Sequence, residues 1–230
     1  MTTTILIPGL LCDEYVWQPL LAACDGALVA DLSTQSSLTA MARDCLEMAK
    51  GPLAVAGHSM GARAAMEMAR LAPERIERLV LLDTGIHPLK DGETQKRSEI
   101  IAFAHENGMQ ALAHRWLPGM VYAPNQQNEA LMQGLTNMVL GKDADLHERQ
   151  ITALVNRPDA AAYLADITCP VLLVVGSEDQ WSPVSQHEDM LALLPDAKLE
   201  VINNAGHFAP VEQPADVVRV VAPFLNARRS

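Results

Sequence analysis

The chain has 230 residues, of which 49% are hydrophobic and 20% charged. At roughly 100–200 residues per domain this fits one domain, or one with a sizeable insertion, and the composition excludes a largely disordered chain. Seventeen Lys and Arg against 28 Asp and Glu give a net charge of −11, which argues against nucleic acid and anionic membranes as partners, since both need cations to neutralise phosphate.

Six short apolar runs, mostly β-branched or leucine, end at turn residues: 5–7, 27–30, 53–56, 79–82, 171–175 and 199–202. Most lack alternation, which suits strands buried on both faces of a parallel sheet. Helical patterns lie between them at 38–48 (with Ser36, Ser37 or Thr39 near its cap), 60–71, 185–194 and 214–225. Strands alternating with helices imply an open α/β sheet with right-handed crossovers. From Asp83 to Cys169 no strand is predicted. Helical segments 93–107, 109–116, 125–141 and 143–155 are punctuated instead by Gly108, Pro118-Gly119, Pro124 and Pro158. The expected organisation is a core of residues 1–87 and 167–230, with a helical cap, 88–166, over the edge where strands end.

The cysteines Cys12, Cys24, Cys45 and Cys169 form no CxxC and no Cys/His cluster, so neither a zinc site nor a disulfide framework is expected. No apolar stretch approaches the roughly 20 residues that span a bilayer, and Pro8-Gly9 breaks the first run before a signal peptide could form. The expectation is a soluble cytoplasmic protein with a small-molecule substrate and no metal, nucleotide or other cofactor. Pattern leaves the oligomeric state open.

Gly57-His58-Ser59-Met60-Gly61 follows a strand-like run and opens a helix, the context a G-x-S-x-G nucleophile requires. On so tight a turn the positions two either side must be small, because strand and helix nearly touch. A serine needs a base, and His207, on a sharp loop after the last run, is the candidate among the seven histidines. The base needs an acid to orient it. Asp179, after the fifth run, is preferred over the adjacent Glu178, and over Asp83, which is read as binding backbone groups where the chain enters the insertion. The oxyanion hole is expected from the N–H of Met60 and of Leu10, with Leu11 second.

These motifs closely resemble the α/β-hydrolase superfamily: the elbow at 57–61, the strand ending at Asp83, the segment from Cys169-Pro170 through Asp179 to Pro183, and Gly206-His207-Phe208 followed by Glu212-Gln213-Pro214. The resemblance covers nearly the whole chain except the insertion, which corresponds to the variable cap. It implies a three-layer sandwich and a Ser59–Asp179–His207 triad. Members often begin with two further strands and carry His-Gly before the oxyanion loop, where this chain has Pro8-Gly9, so about six strands are predicted, all parallel. Arg63 stands where it resembles an arginine that binds substrate carboxylate in the related menaquinone-pathway synthases, although those have tyrosine at the position of His58. An Arg63–Glu67 pair at i, i+4 is the plainer reading of the same residue.

The insertion contains Phe103, Met109, Trp116, Met120, Tyr122, Met132 and Met138. Such a stripe is usually core, and part of it is expected to line a pocket between cap and sheet. Expected substrate contacts are Leu11, Arg63, Trp116, Met120, Trp181 and Phe208, with His114 and Arg115 as further polar anchors. The function read from these residues is hydrolysis of carboxylic esters of small apolar or aromatic compounds. Carbon–carbon hydrolysis, lactone hydrolysis and elimination are alternatives on the same triad, and a small-molecule receptor is a further one.

Overall fold

The computed structural model describes residues 2–227, so the ends of the expected core segments, 1 and 228–230, lie outside the described residues. The apolar runs form six strands: β1 (Thr3–Ile7), β2 (Leu28–Val29), β3 (Leu53–His58), β4 (Ile76–Leu82), β5 (Val171–Gly176) and β6 (Ala197–Ile202). All neighbours pair in parallel, in the order β2-β1-β3-β4-β5-β6. β3 and β5 are buried at every position, which is why neither alternates in sequence. At one edge, β6 keeps the alternation of a half-solvated strand, with Lys198 and Glu200 outward.

Between β1 and β2 lies the short α1 (Gln18–Leu21), followed by α2 (Leu38–Glu47) and α3 (Met60–Leu71). Ser37 starts α2 by accepting the Ala40 N–H at 3.1 Å. The chain runs outward from β1 to β2, then returns past β1 to β3 and continues the other way. With right-handed crossovers, that reversal sets α1 on one face and α2 and α3 on the other. It also opens a crevice between the carboxyl ends of β1 and β3, the usual place for a ligand in such sheets.

Between β4 and β5 the described residues contain no strand. They form α4 (Glu93–Trp116), α5 (Glu129–Leu140) and α6 (Ala144–Val155). The boundary predicted at Gly108 is a break within α4, where φ is 78° and ψ 170°, a conformation that favours glycine. Asn128 and Asp143 cap α5 and α6 by accepting the N–H groups of Leu131 and Leu146. The remaining helices are α7 (Val184–Leu193), α8 (Ala209–Glu212) and α9 (Pro214–Asn226), and α9 packs on α1. The insertion is tied down over the strand ends. Gln150 of α6 accepts the Leu11 N–H at 2.8 Å and donates to the Leu32 carbonyl at 3.1 Å, while the Met120 carbonyl accepts the His207 N–H at 2.7 Å.

Candidate active site

One residue separates β3 from α3. Ser59 sits there with φ 54° and ψ −114°, a strained conformation for a residue with a Cβ. Its N–H donates to the Leu82 carbonyl at 2.9 Å, and its own carbonyl accepts the Thr84 hydroxyl at 3.0 Å. A Cβ on Gly57 would lie 2.5 Å from the Cα of Ala62, and one on Gly61 would strike the carbonyls of Ile7 and Pro8. The strand, the helix and the β1 loop therefore meet closely enough to force the turn.

His207 lies on the loop between β6 and α8 and is 3% exposed. The Ser59 hydroxyl donates to its Nε2 at 2.8 Å, and its Nδ1–H donates to Asp179 Oδ2 at 2.8 Å. The other Asp179 oxygen accepts the N–H groups of Trp181 and Ser182, both at 2.8 Å. Burial pushes the Asp179 carboxyl up, but the His207 charge and these hydrogen bonds outweigh it and hold it below its ordinary value. The arrangement can pass the Ser59 proton to an imidazole held in one tautomer by an ionised carboxylate.

Asp83 is directed elsewhere. It accepts the Gly176 N–H at 2.9 Å, and its second oxygen lies 3.7 Å from His58 Nε2. Its backbone partner is thus the end of β5 and not the turn into the insertion. Glu178 faces the Ser177 hydroxyl at 3.2 Å. His58 lies behind the elbow, where its Nε2–H donates to the His207 carbonyl at 2.7 Å.

Gly9 brings the β1 loop against the elbow, since a Cβ there would lie 3.2 Å from the Ser59 Cβ. Met60 opens α3, and a first helical N–H has no partner within its helix. On the β1 loop the Leu11 N–H is taken by Gln150, and the Cys12 N–H by the Gly9 carbonyl at 3.1 Å. Among the described residues, no hydrogen bond engages the Leu10 N–H. Leu11 departs from expectation: it is 1% exposed and does not line the cavity, because its positive φ of 57° turns it into the core.

A cavity of about 770 Å³ opens above Ser59. Arg63, Trp116, Met120, Trp181 and Phe208 line it, as does Arg115, whereas His114 is exposed on α4 and lies off it. Phe103, Met109, Tyr122, Met132 and Met138 are also outside the lining. The Arg63–Glu67 pair does not form. Glu67 is buried toward α2, where it takes Arg70 at 3.0 and 2.8 Å and the Thr39 hydroxyl at 2.9 Å, and Arg63 turns to the cavity instead.

Four residues escaped sequence reasoning. Gln150 holds Leu11, and Glu93, Arg97 and Arg157 form a charged cluster in the cavity wall; no local pattern links these positions. The role of Glu212 was also missed, although its motif was visible. It accepts the N–H groups of Gly206 and Phe208 on one oxygen, and those of Tyr122 and the Asn125 amide on the other.

The profile of the alpha/beta hydrolase family matches residues 5–220. The chain is 29% identical over 178 residues to a Pseudomonas putida 2-hydroxy-6-oxononadienedioate/2-hydroxy-6-oxononatrienedioate hydrolase, covering 75% of this chain and 62% of that protein. To the mouse sn-1-specific diacylglycerol lipase ABHD11 it is 28% identical over 217 residues, covering 84% and 66%. In both cases the chain spans less than two thirds of the relative. Among solved structures, a thermophilic esterase from Thermogutta terrifontis superposes with a TM-score of 0.90 at 24% identity, over 98% of this chain and 89% of the other, a likeness of fold.

Proposed function

The chain belongs to the alpha/beta hydrolase family, and on that footing we propose that it is a serine hydrolase of carboxylic esters working through an acyl-enzyme. The observation that carries this reading is the unbroken relay from the Ser59 hydroxyl through His207 to Asp179, with both hydrogen bonds at 2.8 Å. In the proposed cycle Ser59 Oγ attacks the ester carbonyl as His207 takes its proton. The N–H groups of Leu10 and Met60 hold the oxyanion. The tetrahedral adduct collapses, His207 protonates the departing alcohol, and a water activated by the same imidazole releases the acid. Asp179 keeps Nδ1 protonated and stabilises the imidazolium between steps.

The curated relatives include hydrolases of several kinds and a putative 2-succinyl-6-hydroxy-2,4-cyclohexadiene-1-carboxylate synthase from Bacillus subtilis. Carbon–carbon bond hydrolysis is the second reading, favoured by the Pseudomonas putida relative. No helix among the described residues is long and apolar enough to cross a membrane, and a cytoplasmic location is part of the proposal.

The test is hydrolysis of 4-nitrophenyl esters from acetate to decanoate by wild type and Ser59→Ala. Wild type is expected to prefer one chain length, and the variant to lose at least about a thousandfold in kcat. Turnover that survives in Ser59→Ala, or no turnover on any ester, overturns the ester reading.

A further inference from the structure

Four of the seven histidines are buried: His58, His147, His187 and His207. The relay uses His207, and His58 braces the carbonyl of that residue from behind. His147 leaves its Nδ1 without a partner. His187, on α7, engages both ring nitrogens, and neither bond goes to a relay side chain. Its Nε2 accepts the Thr84 N–H at 3.2 Å, and its Nδ1–H donates to the Pro183 carbonyl at 3.3 Å. The two partners demand one tautomer, because a backbone N–H only donates and a carbonyl only accepts. Burial pushes the imidazole down to about 4, so near neutral pH it is uncharged and Nε2 remains an acceptor.

Each partner leads to one end of the relay. Asp83, with φ 48°, turns the chain out of β4, and Thr84 follows it. The Thr84 hydroxyl donates to the Ser59 carbonyl at 3.0 Å. The residue whose N–H is held by His187 therefore carries the side chain that steadies the strained elbow. Gly85, next in the chain, leaves no room for a Cβ against the Gln186 side chain of α7, so this stretch lies directly on the start of that helix. Pro183 closes the loop that begins at Asp179 and immediately precedes α7. In that loop the N–H groups of Trp181 and Ser182 hold one oxygen of the Asp179 carboxylate. One imidazole is thus bonded both to the residue that steadies the nucleophile and to the loop that holds the acid.

The Thr84 hydroxyl is not needed to satisfy its acceptor. The Ser59 carbonyl also takes the N–H groups of Ala62 and Arg63, at 3.1 and 3.4 Å, as the opening bonds of α3. Removing the hydroxyl strands no buried carbonyl, so its contribution is to the direction of the elbow more than to stability.

We propose that His187 is a positioning residue of the active site: through Thr84 and Pro183 it sets Ser59 and Asp179 at the separation that His207 bridges. This rests on the reading of Ser59 as the nucleophile. A displacement of about 1 Å at the reacting atoms can cost about a hundredfold in rate, so a residue that never meets the substrate governs kcat.

The experiment uses variants that cut one arm at a time. His187→Asn keeps an amide N–H for Pro183 and offers Thr84 no acceptor. His187→Gln places an amide oxygen where Nε2 stood and gives up the Pro183 bond. Thr84→Val removes the hydroxyl at nearly constant shape, Thr84→Ser keeps it, and His187→Asn combined with Thr84→Val closes the cycle. The measurements are kcat and KM on the preferred 4-nitrophenyl ester, the melting temperature, and the proton NMR resonance of the Nδ1–H that His207 gives to Asp179. His187→Asn and Thr84→Val are each expected to lower kcat by about tenfold, with KM changed by less than about threefold, and His187→Gln and Thr84→Ser to retain more of it. The double variant is expected to lose about as much as one single variant, since both cut the same arm. His187→Gln is expected to shift the His207–Asp179 resonance, and His187→Asn to leave it in place. Equal kcat in His187→Asn and His187→Gln, losses that multiply in the double variant, or a lowered melting temperature with kcat intact overturns the proposal. If wild type cleaves esters through Ser59 and no variant differs from it in kcat, the positioning fails and the serine-hydrolase reading stands. If wild type cleaves no ester, the resonance decides: a shift in His187→Gln that His187→Asn lacks upholds the positioning while the ester reading fails, and no shift overturns both.

Discussion

Ser59 is strained, and its surroundings hold it there. The Leu82 carbonyl and the Thr84 hydroxyl fix its backbone, and three glycines clear the space around it. Behind it lies a second acid–imidazole pair. Burial, then the neighbouring His207 charge, lowers His58 to about 3, so it stays neutral and its Nε2–H remains a donor to the His207 carbonyl. Burial, then the Asp179 charge, raises Asp83 well above the ordinary carboxyl range. A raised value means the folded state holds this proton more tightly. The stability it contributes is complete below the unfolded value of about 3.9 and is lost as pH rises through the folded value. Asp83→Asn keeps an acceptor for the Gly176 N–H and cannot ionise. Its melting temperature relative to wild type should therefore climb as pH is raised from about 4 to about 9; a difference constant across that range would show that Asp83 does not titrate there. At this scale the relay residues were legible, because a serine on a strand-to-helix turn and a histidine on a sharp loop announce themselves locally. The part played by Asp83 was not, because its partners sit on β5 and behind the elbow.

Among the elements, the β1 loop depends on α6. Gln150 satisfies a buried N–H on Leu11 and a carbonyl on Leu32, and so sets the loop that presents Leu10 beside Ser59. Gln150→Ala leaves the Leu11 N–H buried without an acceptor, at a cost of about 1–3 kcal/mol. Urea unfolding should show that loss. If the proposed ester hydrolysis holds, turnover should fall by about tenfold or more in kcat, with a smaller change in KM, as the proposed oxyanion donor Leu10 loses its position. An unchanged kcat would mean that the loop holds its shape without α6. The strands and most helices could be read from apolar runs, caps and Gly108. The way α6 grips the β1 loop could not, since Gln150 and Leu11 share no local pattern and Gln150 alone reads as one polar residue on an amphipathic helix.

Across the whole molecule, Glu212 joins the insertion to the histidine loop. One carboxylate oxygen serves Gly206 and Phe208 on either side of His207, and the other serves Tyr122 and Asn125 of the insertion. Glu212→Ala strips four donors of their acceptor. It should lower both the melting temperature and kcat, whereas Asn125→Ala, which removes the amide's bonds to Glu212 and to the Asn204 carbonyl but leaves the Gly206, Phe208 and Tyr122 N–H groups on the carboxylate, should cost about 1–3 kcal/mol of stability and leave more of kcat. Equal losses in the two variants would show that the loop is positioned without the carboxylate. The six-stranded parallel sheet and the elbow could be read from the sequence alone, because periodicity and turn sterics are local properties, and the chain order of Ser59, Asp179 and His207 is given by the sequence itself. Only the tertiary structure decided which β1-loop N–H is left free, that Glu67 takes Arg70 and so releases Arg63, and that Arg63, Arg97 and Arg157 meet around one carboxylate. The reason is physical: hydrogen-bond pairing and charge compensation depend on distances between segments far apart in the chain, and those distances exist only once the insertion has closed over the sheet.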